Sequence, residues 1–238
     1  MNRIFASLIL SLAACGGSPL DPGSGNQGGM GTNTLLVNGS AIATPRIANA
    51  TAETDFNTEF NIRVSLNNVP VQTGTVTLKS RYVNVPLTWN NNNNNQGRWE
   101  GMAAGYDVAY ELDVTNGTDS VTGVIVDGPD IHTITAPTAG ATLDATTMFV
   151  VSWARANPAD EAQFEVGDGN GIVVPDTGSY SVAPGSLKTD QTQARTNTVR
   201  LTRTNRTTPS GAVTGSMFSV GVSNELDVVA APCATCQN

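Results

Sequence analysis

The chain reads as an all-β protein on three observations. Thr and Asn dominate its polar positions, with 24 Gly and 12 Pro among 238 residues. Only 13% of residues are charged, against ~25% in an ordinary globular domain, so the charged faces that long amphipathic helices and coiled coils require are missing. From Thr34 onward, apolar residues recur with period two, the spacing of strands buried on one face. Branched Thr packs well on a pleated surface. Gly and Asn tolerate the positive φ of turns.

Residues 1–15 read MNRIFASLILSLAAC. Arg3 supplies a short positive region and Ile4 to Leu12 an apolar run. That run is far shorter than the ~20 residues of a membrane span, so it reads as an export signal. Leu12-Ala13-Ala14-Cys15 resembles the lipobox of bacterial lipoproteins. The resemblance implies removal of residues 1–14 and lipidation of Cys15, which anchors the chain to a membrane. Gly16 stands where an Asp commonly signals inner-membrane retention in such lipoproteins, so the outer membrane is the expected location. Residues 15–33 carry the lipid and a Gly-rich stretch, GGSPLDPGSGNQGGMGTN. Its composition reads as a disordered tether, with a root-mean-square span of about 23 Å.

The first folded unit is expected over 34–130. Leu35 and Val37 open it. Phe60, Ile62, Val64 and Leu66 alternate with polar residues, as do Val76 and Leu78, then Val83, Val85 and Leu87. Val108, Tyr110, Leu112 and Val114 follow the same rule, and Asn116-Gly117 before Val121 is a strong hairpin signal. Turn residues at Asp127-Gly128-Pro129-Asp130 mark a boundary. The second unit, 131–231, holds Met148 to Trp153, Phe164 and Val166, Ile172 to Val174, Tyr180 and Val182, Val199 and Leu201, Met217 to Val222, and Leu226 to Val229. About seven short strands in each unit suggest β-sandwiches. Residues 232–238 form a short tail.

Ala136-Pro137-Thr138-Ala139-Gly140 before a strand, followed by Val150-Val151-Ser152-Trp153, makes the second unit similar to the immunoglobulin-like and fibronectin type III-like modules of bacterial surface proteins. The resemblance implies two tandem sandwiches, with Trp153 packed between sheets. The first unit shares only the strand spacing of that class.

Candidate chemistry is sparse. Cys233 and Cys236 form a C-x-x-C. An exported chain favours a disulfide there, since a redox pair needs a helix after the first Cys and a zinc site needs ligands beyond His132, the lone His. Trp89 and Trp99 flank Asn90 to Asn95; they read as hairpin packing or, as the alternative, as a sugar-stacking platform. Asp127, Asp130, Asp160, Glu161, Asp168 and Asp176 crowd turns and read as turn formers, with calcium as the weaker alternative. Arg195, Arg200, Arg203 and Arg206 read as a solvated strand face or as an anion-binding patch. No G-x-S-x-G, H-E-x-x-H or Walker sequence occurs, and the net charge of -8 argues against a nucleic-acid partner. The expectation is a non-enzymatic binding, adhesion or structural module without a cofactor other than its lipid. Its partners would be the membrane and an envelope protein or glycan. The rival readings are a carbohydrate-binding lipoprotein and an accessory subunit of an envelope assembly.

Overall fold

The computed structural model describes residues 20–21, 23–91, 97–167, 169 and 171–236. Cys15, Asp168 and most of the Asn run lie outside the described residues. The alternating stretches form strands as expected. The first unit holds β1 (Met30–Gly31), β2 (Leu35–Pro45), β3 (Phe56–Leu66), β4 (Val69–Pro70), β5 (Thr75–Lys79), β6 (Asn84–Pro86), β7 (Thr88–Asn90), β8 (Arg98–Ala104), β9 (Ala109–Asn116) and β10 (Asp119–Asp127). The second holds β11 (Thr133–Ala136), β12 (Thr142–Leu143), β13 (Phe149–Ala154), β14 (Glu161–Val166), β15 (Ile172–Val174), β16 (Ser179–Val182), β17 (Arg195–Thr207) and β18 (Met217–Ala230). One 3-10 turn, Glu53–Asp55, interrupts them.

In the first sandwich β7-β8-β3-β2 face β10-β9-β5-β6, the two-sheet order of immunoglobulin-like folds. Tyr110 opens β9 and its hydroxyl accepts the Asp107 N–H at 3.0 Å. This matches the tyrosine corner of that fold class. In the second sandwich β11-β13-β16 face β15-β14-β17-β18, with β12 parallel to β18. The chain is thus all-β, built of two such sandwiches.

Two hydrophobic cores result. The second draws only on residues between Ile134 and Cys236, including Trp153, which is buried as expected. The first is not confined to 34–130, because Phe218, Val220 and Val222 complete it. They arrive on β18, which pairs parallel with β2 from Met217↔Asn38 to Val222↔Ala43. The stretches 217–222 and 226–229 are therefore one continuous strand. It hydrogen-bonds along its length to β17, from Arg195↔Ala230 to Thr207↔Phe218. This hairpin makes one ten-stranded sheet of both units.

The tether also departs from expectation. Met30 and Gly31 pair with Thr122 and Val121 of β10, and Gln27 bridges to Ile125. A bulge at Thr122–Gly123 accommodates the strap. Residues 25–33 therefore belong to the folded body. Gly28, Gly29 and Gly31 serve close approach rather than looseness. A Cβ on Gly31 would collide with the carbonyl oxygens of Ser120 and Gly211, and Gly29 sits at φ +72° against Thr122 O.

Candidate functional site

Two places concentrate side-chain chemistry. One is the joint between the sandwiches. Inward positions of β17 are Val199, Leu201, Arg203 and Asn205, so Arg203 falls on the core face rather than the solvated one. It is fully buried. Its Nε donates to Asp176 Oδ2 at 2.9 Å and its Nη1 to Asp130 O at 2.8 Å, while Nη2 reaches the Asn157 carbonyl. Asp176 also accepts the Trp153 indole N–H and the Ala159 N–H, and Arg155 pairs with it at 3.3 Å. Burial raises the carboxyls of Asp130 and Asp176. Backbone N–H donors, joined by Arg203, outweigh it and hold both below the ordinary carboxylate range.

His132 packs beside this pair. Its Nε2–H donates to Leu201 O at 3.1 Å, which leaves Nδ1 bare of partners among the described residues. Burial, reinforced by the Arg203 charge, lowers its pKa to about 4. Asn224 is fully buried and closes the joint, donating to Ala50 O and His132 O and accepting the Ala50 N–H. Asn49 exchanges two bonds with the Ile134 backbone. Arg203, His132 and Asn224 are buried, and the bonds from Asn224 to Ala50 and from Asn49 to Ile134 lock one sandwich to the other. Asn49, Asn224 and His132 were not singled out for this role by any motif. The usable signal was parity, which places 203 and 224 on buried faces.

The second place is a groove of about 530 Å³ on the outer face of β3, β7 and β8. Glu59, Asn61, Asn90, Arg98, Glu100 and Met102 line it; Trp89 also borders it, but as the cross-strand partner of Trp99 it shares the opposite, core-side face. The Asn90 amide and the Arg98 guanidinium hold the Glu100 carboxylate below its ordinary range. Trp89 and Trp99 are cross-strand partners. Their rings meet edge-on at 5.9 Å, the hairpin packing expected of them. Trp99 is 6% exposed and its indole N–H is committed to Val71 O. The sugar-platform alternative therefore fails for Trp99, which has no ring face to offer. Trp89 borders the groove, but its ring is turned to Trp99 and the first core.

The remaining candidates are accounted for by pairing. Arg200 bonds Glu165 and Glu225, and Arg206 bonds Glu161. Arg195 meets Asp190. The basic stretch is a cross-strand ladder with one buried member. Asp127 accepts the Gly25 N–H and Asp160 the Arg206 N–H. Cys233 and Cys236 form a disulfide with Cα atoms 5.4 Å apart, docked where Cys233 N–H meets Asp190 O.

No family model and no curated protein matches the chain. Among solved structures, the chain is similar to fibronectin(III)-like modules of CbhA from Clostridium thermocellum, at 11% identity over 86% of this chain and 97% of that one. The TM-score is 0.25, so the sheet order described above rests on its own hydrogen-bond registers.

Proposed function

We propose that the chain is a rigid, lipid-anchored module of the bacterial envelope that binds or spaces rather than catalyses. The observation that carries this is the β17–β18 hairpin, which belongs to both sandwiches and fixes them as one body. Arg203, Asp130 and Asp176 at the joint are spent on one another, which suits a structural role. The anchor at Cys15 is supported by the lipobox-like residues before it, and Gly16 favours the outer membrane. Fractionation tests the anchor. The native chain is expected with membranes and Cys15→Ser in the soluble fraction, with acyl mass on a mature terminus at Cys15. A Cys15→Ser chain that stays with membranes would refute it.

The groove on the outer face of β3, β7 and β8 supports a second reading, a neutral glycan held by amide and carboxylate groups. Glycan-array binding that is lost in the double variant Asn90→Ala with Glu100→Ala supports it; an array without binding removes it. A stoichiometric membrane partner in a pull-down would favour an accessory role in an envelope assembly.

A further inference from the structure

We infer that the body is tied to its membrane at the waist between the sandwiches, so that it lies along the lipid surface on the flank formed by the strap and the loop after β17. This rests on the lipidation of Cys15 proposed above. The strap runs antiparallel to β10, so its earlier residues lie nearer the linker. Gly25 N–H donates to Asp127 Oδ2 at 2.7 Å, Asn26 donates to Arg206 O, and Asp127 N–H donates to Asn26 Oδ1. Asp127 opens the linker between the two units. At the other end of the strap, Asn33 N–H meets Gly211 O and the chain turns into β2 at the far tip of the first sandwich.

Ten residues at most separate the lipid from Gly25. Ten residues span at most about 35 Å. Standing upright on the tip of the first sandwich would lift Gly25 by the length of β10, roughly 26 Å at 3.3 Å per residue. That demands most of the contour. Lying on the flank demands little of it. The second sandwich extends the other way from the waist and is still further from reach. Met30 and Val213, both exposed, put apolar side chains on this flank, which suits contact with the headgroup layer of a bilayer.

The test uses the lipidated full chain in phosphatidylcholine vesicles carrying a headgroup energy acceptor. A single donor dye is placed through Met30→Cys on the flank, Thr118→Cys at the tip of the first sandwich, or Gln193→Cys at the far end of the second. The native disulfide leaves no competing thiol. Transfer is expected to be strongest at 30 and weaker at both 118 and 193. Transfer strongest at 118 or at 193 would overturn the side-on arrangement while leaving the anchor intact. Chains that fail to float with vesicles would instead overturn the anchor, and the arrangement with it. A second variant reads the strap itself. Gly29→Val with Gly31→Val collides with backbone carbonyls and frees the strap up to Asn33. The point of attachment then moves to the tip of the first sandwich, so transfer at 118 should rise above that at 193. Unchanged ranking in a variant that still melts cooperatively would refute the strap's role.

Discussion

Expressing residues 20–130 alone should give a chain that does not fold cooperatively, although it spans nearly every strand of the first sandwich. The missing part is the arm of β18. Phe218, Val220 and Val222 are each fully buried in the first core. At about 1.5–3 kcal/mol for each buried side chain, their absence removes roughly 5–9 kcal/mol. The excised chain also loses the parallel partner of β2, the Ser216 hydroxyl that accepts the Val37 N–H, and the Asn224 amide that holds Ala50. Whole domains are stable by only about 5–15 kcal/mol, so the deficit is of the same size as the total. Urea unfolding followed by Trp89 and Trp99 fluorescence measures this. The 131–238 chain should behave differently, because its core is entirely its own. It should fold but self-associate through the bared arm, and mixing the two chains should restore the first transition. A 20–130 chain that unfolds cooperatively near the midpoint of the full protein would refute the shared-strand argument.

Other consequences follow from named residues. Arg203→Met breaks a buried pair and should cost about 3–5 kcal/mol, a fall of roughly 6–20 °C in Tm. Asp176→Asn in the same background should recover part of it, and a loss under about 1 kcal/mol would contradict the burial. The lone His gives a clean pH signature. His132 stays neutral in the fold down to about pH 4, whereas the unfolded chain protonates near the ordinary 6.5. Between those values the unfolded state binds more protons, so stability falls as pH falls, by about 3 kcal/mol in all. Asp130 and Asp176, held below the carboxylate range, withdraw their own support only on further acidification, below about pH 3.8. His132→Leu should flatten the upper part of urea midpoints plotted against pH. The Cys233–Cys236 disulfide closes a very short loop, so its reduction should cost no more than about 2 kcal/mol; a collapse of the melt would mean the tail does more. Trp99→Ala should destabilise by about 3–5 kcal/mol, and Trp89→Ala by clearly less, as read by denaturant midpoints.

The strand set was legible because each sheet has one buried face, which imposes period two on Phe60 to Val64, Tyr110 to Val114 and Val199 to Leu201. Turn residues at 127–130 signal the end of β10 at Asp127, but not that β18 returns to the first core. The strap was not legible. Gly28, Gly29 and Gly31 look alike whether glycine is chosen for freedom or for contact, and only the backbone of β10 and of Gly211 decides between them. In the candidate site, Trp99 could be assigned to packing from its place opposite Trp89. The joint was hidden because its partners lie far apart in sequence: Asn224 bonds Ala50, and Arg203 bonds Asp130 and Asp176.

The polar residues at that joint nevertheless follow a rule that strand parity makes visible. Phe218, Val220, Val222, Asn224, Leu226, Val228 and Ala230 form one unbroken alternation, every member buried. On β17 the inward series is Asn197, Val199, Leu201, Arg203 and Asn205, buried as far as Arg203. Read as apolar runs, both strands seem to stop at the polar member. Read as parity, both continue to a buried polar member, which on β18 marks the level at which the strand leaves one core for the next and on β17 closes the second core. Each sandwich ends there, so loops from both converge and bring backbone groups that need partners: Asp130 O, Asn157 O, Ala50 and His132 O. An apolar side chain at 203 or 224 would leave those groups unsatisfied at a cost of about 1–3 kcal/mol each. A buried Arg and a buried Asn satisfy several at once. The break in hydrophobicity is therefore what allows an unbroken strand to serve two cores.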